Sequence, residues 1–522
     1  MEHGIYLMMI HMLPSRGAEL KHNQNYVVLQ ELNTPPPREW SSFKVAFEET
    51  LTQKHCLTPG CLLHCEELSN AAEKGLRDAS QMMAVWIQSK LKSTKIPEVR
   101  GEIDIGIGTV HYVMSNMQVG QCSMSGPSME FVKGTGVSVE ISQLSLAIKG
   151  RWATKFGIIH DGGSFDLAVY NIKIQTLLEL GDDAGRLSIT TISCSNDIGG
   201  VHVQFHGGAS IFFKPFVSTF SGKISEMIHL KICPAVQQAI SELEMNLQEI
   251  PVNIPMGQYI YLSILLTSSP AVTDQSFDLD IKGEFYSKSS PSEPPFSASK
   301  FEVQYAENYM LSLAASEFLI NSAAYAYLSS EVLQINIKNN MIPKNFPIHL
   351  NTSEFGALIP QLGTLYPNME MQVHLYASET PLFSFSSGAI DVHVPAAAKF
   401  SVVKPDGMLV PLFRLDVDGS FSGSALIDNN HLTGAFKMKN LTLTLGSSEI
   451  GDFKTAGLEQ MLVIAVNMFV LPKLNVYLKT GFLLPTLQHF SLTNSKLLIQ
   501  NGFVVIFTNV EDSRTVSMKT MV

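Results

Sequence analysis

Charge is what this sequence has least of: only 16% of its 522 residues are charged, and 47 acids outnumber 36 lysines and arginines for a net charge of −11. Even the stretch 66–250 holds 15 bases against 19 acids, so no strongly basic surface for nucleic acid is expected. Long apolar runs are also missing. None reaches the ~18 residues of a membrane-spanning helix. The longest, Met461–Leu471, is interrupted by Asn467 and suits a buried helix better. Near the start, Ile5–Leu13 is apolar but follows Glu2, with no positive segment before it and no small-residue cleavage site after it, so no secretory signal is read there. Enzyme motifs are absent too. Gly106-Ile-Gly108 lacks the third glycine of a dinucleotide fingerprint, and Gly419-Ser-Phe-Ser-Gly423 has Phe421 where a nucleophile elbow needs serine. With no Walker A motif and no H-E-x-x-H, a non-enzyme without a cofactor is expected.

What the sequence does have is apolar bulk: 45% of residues are apolar and the mean hydropathy is +0.14. Without a spanning segment, that surplus points to a large dry interior or a cavity for an apolar ligand. The length implies about two to four domains.

Residues 1–65 differ from the rest. They contain Pro35-Pro36-Pro37 and three of the six cysteines, Cys56, Cys61 and Cys65, without a periodic element, and read as a disordered extension. His55-Cys56, Cys61 and His64-Cys65 invite a zinc site, but their spacing departs from the paired patterns. An extra disulfide or a set of free thiols is the favoured reading, and no metal is expected.

Order begins near Leu68. Leu68, Ala72, Leu76, Ala79, Met83, Trp86 and Ile87 recur at helical steps before Pro97. Alternation at Val137/Val139/Ile141, Phe165/Leu167/Val169 and Val201/Val203/Phe205, punctuated by glycines, predicts antiparallel strands. A long helix is predicted from Phe216 to Leu247, kinked or restarted at Pro234. The order then repeats. After a proline-rich stretch, Phe285–Ser299, read as a linker, helices are predicted over Ser316–Ser330 and Phe355–Leu365. Strands follow at Ile390/Val392/Val394, Phe413/Leu415/Val417 and Leu441/Leu443/Leu445, then a long apolar helix over Phe453–Leu478 and a last strand at Phe503–Phe507. The reading is of two similar α+β halves.

Several segments carry a resemblance. They are Ala72-Glu-Lys-Gly-Leu76, Gly150-Arg-Trp152 with Gly163-Ser-Phe-Asp-Leu167, Ser193-Cys194-Ser195 with Val201-His-Val203, and Ile232-Cys233. Met341-Ile-Pro343, Leu365-Tyr-Pro-Asn-Met369, Val470-Leu-Pro472 and Gly481-Phe-Leu-Leu-Pro485 continue it through the second half. Over about 66–510 the chain resembles the bactericidal/permeability-increasing protein and lipopolysaccharide-binding protein family of lipid-transfer proteins.

The resemblance implies an elongated boomerang of two barrels, each a highly twisted antiparallel sheet with a long helix, joined by a central antiparallel sheet. It divides the chain into an extension (1–65), an N-terminal barrel (66–255), central sheet and linker (256–300), a C-terminal barrel (301–485) and a return strand with tail (486–522). It implies a secreted monomer that buries the acyl chains of phospholipid, and of lipopolysaccharide at a bacterial outer membrane surface, in innate defence against Gram-negative bacteria. Each methylene moved into an apolar groove contributes ~0.8 kcal/mol. The alternatives are phospholipid transfer without lipopolysaccharide recognition, and a structural or interaction protein whose grooves its own side chains fill.

Residues are then assigned. Groove candidates are Leu76, Met83, Ile87, Phe220, Ile224 and Ile228 in the first half and Leu458, Met461, Leu462 and Ala465 in the second; for any one of them, core packing is the plainer reading. Lys90, Lys92, Lys95, Arg100, Arg151 and Lys155 are candidates for anionic headgroups, diluted by Glu98, Glu102, Asp104 and Asp161. The resemblance implies a Cys194–Cys233 disulfide, with Cys122 left as a buried thiol. Asn351 and Asn440 begin glycosylation sequons.

Overall fold

A computed structural model describes residues 44–46, five helical positions between 80 and 91, and 96–512 except 105, 209–216, 275, 304–308, 345, 347 and 485–489. The chain forms two compact units. One comprises Phe47–Glu249 and Ser268–Asp278, the other Met1–Ala46, Ile250–Thr267 and Leu279–Val522. Each is an antiparallel sheet with a long helix, so the protein is α+β with two barrels. Apart from Lys44–Ala46, which pair with Ser312–Ala314, the expected disordered extension and its cysteine cluster lie outside the described residues.

In the N-terminal unit the strands Val99–Asp104, Thr109–Ser123, Gly136–Phe156, Ile159–Asp183 and Arg186–His206 pair in that order, with Ser128–Val132 against the third. Their inward residues switch phase partway along. In the fourth strand Phe165, Leu167 and Val169 are buried, then Ile172, Ile174 and Leu178. The switch falls at Asn171, whose φ is +53°. Asn116, at φ +52°, does the same in the second strand between Met114 and Met117. An extra residue at a bulge sharpens the local twist while keeping one face apolar, which is how a flat alternation becomes a curled wall. The family-like segments pair across this sheet: Trp152 lies opposite Gly163, and its indole Nε1 donates to the His206 carbonyl. A Cβ on Gly163 would meet that indole nitrogen at 2.9 Å and the carbonyl oxygen at 2.0 Å, so only glycine fits beneath the ring.

The helix Val217–Gln248 packs Ile224, Ile228, Ile232 and Val236 against this sheet. It is continuous through Pro234, so it does not restart there. The hydrogen bond lost to proline is the one to the carbonyl of Leu230, and both residues face solvent, where water can take that carbonyl. Cys194 and Cys233 are disulfide-bonded, joining the last strand to the helix. Cys122 is half-buried rather than buried, because it lies at the margin of the core.

In the C-terminal unit Gln334–Lys338, Glu370–Ala377, Ala389–Val403, Leu409–Asp428, His431–Ser448 and Phe482–Leu483 pair in that order, with Leu382–Ser386 on the third. Bulges at Phe400/Ser401, Arg414/Leu415 and Ser420/Phe421 curl it. Separately, Leu311–Ser316 pairs with Phe503–Asp512, which pairs with Phe490–Gln500. The helix Glu317–Ser329 matches expectation. The single helix expected over Phe355–Leu365 is two, Thr352–Phe355 and Pro360–Leu365, because Pro360 cannot continue a helix and instead starts one. The proline-rich stretch 285–299, expected to link the halves, lies inside this unit. It packs there, with Phe285 buried and Phe296 edge-on to Phe318 and Tyr325.

The last long helix runs Ala456–Thr480, with a π turn at Val466–Val470. That turn precedes Pro472, which has no N–H to donate to the carbonyl four residues earlier. By length and composition this helix is long enough to cross a membrane, which the interrupted run in the sequence did not show. It nevertheless buries Leu458, Leu462, Ala465, Val466, Leu471, Leu474 and Leu478 in the core of its unit.

Candidate functional site

An apolar cavity of about 70 Å³ lies between the helix Ala456–Thr480 and the concave face of the C-terminal sheet. Three of its walls come from side chains that alternate along strands: Val373 and Leu375, Leu415 and Val417, Leu441 and Leu443. Phe355, Phe400 and Phe421 close it with aromatic rings, and Leu458, Met461 and Leu462 form the helical side. Gly419 belongs to the wall, so the Gly419–Gly423 motif is a bulged strand segment facing an apolar space. No lining side chain is ionisable or carries a hydroxyl or amide. An unfilled apolar void of this size costs roughly 2 kcal/mol at ~24 cal/mol per Å³, and filling it with hydrocarbon recovers that cost.

Polar side chains stand outside the cavity and hold its walls. Glu459 accepts a hydrogen bond from the Leu443 amide at 2.9 Å. The Asn475 amide pairs with both backbone groups of Phe436, at 2.8 and 2.9 Å, so the helix completes the free edge of a strand. Phe355 is placed by a capped turn in which Asn351 Oδ1 accepts from the Glu354 amide. Glu354 in turn accepts from the His349 amide and from Asn351 Nδ2. The His349 amide, followed by the Asn351 side chain, holds the Glu354 carboxyl below the usual carboxylate range. Beside Lys439, at 2.8 Å, the Asp391 carboxyl is likewise held down.

Of the groove candidates, Leu458, Met461 and Leu462 come together on the cavity, while Ala465 is buried in the core one turn on. Ile87, Ile224 and Ile228 pack on the N-terminal sheet. Phe220 lies on the long helix, and its side chain is outside the described residues, as are Leu76 and Met83. Lys90, Lys92 and Lys95 also fall outside them. Arg100, Arg151 and Lys155 are exposed on one face of the N-terminal sheet, where Arg100 is paired with Glu98. Asn440 is exposed, whereas Asn351 is half-buried with both ends of its amide engaged. Sequence reasoning missed the aromatic closure by Phe355, Phe400 and Phe421. It had marked Leu415, Val417, Leu441 and Leu443 only as strand residues, and that alternation was the available signal.

Two curled antiparallel sheets, each closed by a long helix and one holding a wholly apolar cavity, define a two-barrel protein built around apolar interiors. The family model "LBP / BPI / CETP family, N-terminal domain" matches residues 75–243, and its C-terminal counterpart matches 257–511. A bactericidal permeability-increasing protein of Sebastes schlegelii is 34% identical over 441 residues, covering 84% of this chain and 93% of that protein. The human lipopolysaccharide-binding protein is 28% identical over 450 residues, covering 86% and 94%. A crystal structure of lipopolysaccharide binding protein shares the fold at a TM-score of 0.53 and 24% identity, covering 90% of this chain and 99% of that one. The chain belongs to the LBP / BPI / CETP family.

Proposed function

We propose that the protein is a secreted, non-catalytic lipid binder that buries acyl chains in its apolar interior and acts in defence against Gram-negative bacteria. The observation that carries this reading is the C-terminal cavity, closed by aliphatic and aromatic groups alone. Such a wall has no means of orienting a polar substrate or polarising a bond, but it stabilises hydrocarbon by ~0.8 kcal/mol per methylene. A headgroup then stays outside, and phospholipid is the simplest ligand with that division. The relatives named for lipopolysaccharide binding and bactericidal permeability support extending the ligand to lipid A-type molecules, with Arg151 and Lys155 as headgroup contacts.

Native mass spectrometry of the chain secreted from eukaryotic cells, with lipid extraction of the same sample, tests the proposal. One or two bound phospholipids are expected, and Met461→Trp should displace the lipid of the C-terminal cavity. A bare protein mass, with no uptake of added phospholipid or lipopolysaccharide, would refute lipid carriage and favour a protein whose interiors are self-filled. Uptake of phospholipid alone would restrict the function to phospholipid transfer.

A further inference from the structure

We propose that Asn440, on the outer face of the C-terminal sheet, is an N-glycan acceptor and that the chain's other sequon, at Asn351, is not. The inference rests on the secretion proposed above, because the oligosaccharide donor of this reaction belongs to the secretory pathway. The two sequons are Asn440-Leu-Thr442 and Asn351-Thr-Ser353. Such triplets are short enough to arise by chance, and as patterns the two are equivalent. The fold separates them.

Asn440 lies on the strand His431–Ser448, opposite Ser420 of the neighbouring strand, and Thr442 lies opposite Asp418. Side chains alternate across a strand, so Asn440 and Thr442 are both exposed while Leu441 between them is 5% exposed and points inward. Leu441 lines the apolar cavity, which puts a sugar on Asn440 on the opposite side of the sheet from bound hydrocarbon. The charged neighbours are engaged with one another. Lys439 pairs with Asp391 and Asp418 with His393, each at 2.8 Å. Among the described residues the Asn440 side chain has no hydrogen-bond partner, so a substituent on its Nδ2 displaces no contact.

Asn351 has the same side chain without that freedom. Its Oδ1 accepts from the Glu354 amide at 2.8 Å and its Nδ2 donates to Glu354 Oε1 at 2.9 Å, so both ends of the amide cap the turn Thr352–Phe355. The middle residue of this sequon, Thr352, is fully buried, and its Oγ1 accepts from the Met369 amide at 2.9 Å. The same turn places Phe355, 2% exposed, in the cavity wall. A sugar on Asn351 would therefore crowd the turn that closes the cavity, whereas one on Asn440 leaves that turn and the cavity untouched.

In the transfer, the Asn440 Nδ2 attacks the anomeric carbon of an oligosaccharide carried on a lipid pyrophosphate. An N–C bond forms and the bond from that carbon to the pyrophosphate oxygen breaks. The lipid pyrophosphate leaves with the bonding pair, and one Nδ2 proton passes to a base of the transferase. Nothing is oxidised or reduced.

Expression of the full chain behind a secretory leader in eukaryotic cells tests this, with intact mass measured before and after treatment with peptide-N-glycosidase. One glycan is expected, and its release in heavy-oxygen water should leave a labelled aspartate in place of Asn440. Asn440→Gln and Thr442→Ala should each lose the glycan completely. Ser353→Ala, which removes the second sequon but keeps the Asn351 cap, should retain it. A wild-type chain that reaches the medium bare would overturn the proposal, as would a glycan that survives Asn440→Gln or a second one that disappears in Ser353→Ala. A chain that stays inside the cell without the leader, yet gains the Asn440 glycan with it, would refute secretion and uphold the acceptor site.

Discussion

The helix Val217–Gln248 of the N-terminal unit and the helix Ala456–Thr480 of the C-terminal unit both cover a curled sheet, but they bury very different amounts of themselves. Among the described residues the first has one fully buried side chain, Ile224, while the second has eight. Both use polar side chains to grip a strand. In the N-terminal unit Glu244 accepts from the Ile189 amide and Asn196 donates to the His229 carbonyl. In the C-terminal unit Glu459 and Asn475 make the equivalent ties. Only the N-terminal helix adds a disulfide, and the sequence has no cysteine after Cys233. A covalent staple thus stands where apolar packing is sparse, and the well-packed helix does without one. A helix held by a staple and a few contacts can keep apolar surface beneath it accessible, whereas a helix held by its own core leaves a closed slot.

The largest test of this contrast is removal of the staple. Cys194→Ala/Cys233→Ala should destabilise the N-terminal unit by about 4 kcal/mol in the chain-entropy account of its 39-residue separation. Hydrogen exchange should show the loss on Val217–Gln248 and its sheet, with C-terminal amides unchanged. Equal loss in both units would break the comparison. Next, Leu462→Ala should cost ~3 kcal/mol in thermal or denaturant unfolding, as deletion of a buried leucine does. Leu230→Ala, at a position 64% exposed on the other helix, should stay within ~0.5 kcal/mol. Asn475→Ala strands two backbone groups of Phe436 and should cost ~2 kcal/mol; an effect near zero would mean that packing alone docks the helix.

The smallest effect concerns pH. The Glu354 carboxyl lies below its ordinary value of 4.5 in the folded protein, chiefly through the His349 amide. A depressed carboxyl contributes stability above its unfolded pKa and loses it as the pH falls through the folded one. The contribution should therefore be full near neutrality and vanish in acid below 4.5. Since the side chain is 40% exposed, it should amount to less than ~1 kcal/mol. Comparing the wild type with Glu354→Gln by thermal unfolding at neutral pH and in acid checks this, with the difference confined to the C-terminal unit and present only at the higher pH.

Much of the fold was legible in the residue pattern. Helical steps marked both long helices, and alternation marked strands in each half, because burial of one face imposes period 3.6 or 2 on the sequence. Other features were hidden by the same logic. The phase switches at Asn116 and Asn171 look like the end of one strand and the start of another, since a bulge interrupts the alternation that reveals a strand. Pro234 looks like a break because sequence does not show that its side of the helix faces water. The half-buried state of Cys122 and the spent amide of Asn351 likewise depend on neighbours far along the chain or on a local turn that no pattern announces.

The sequence by itself determined the α+β class, the repeated order of elements, the acidic net charge and the surplus of apolar side chains. Each follows from composition or from periodicity along the chain. Only the tertiary structure decided that Leu415, Leu443, Phe400 and Met461 line one apolar cavity while Ala465, one turn away, does not. It also decided that the Asn351 amide is spent on a turn while Asn440 is exposed. A cavity is volume left between side chains from distant segments, and an asparagine's freedom is set by the groups that fold around it. Both are properties of packing in three dimensions, to which each residue contributes while its own stretch of sequence records only which way it faces.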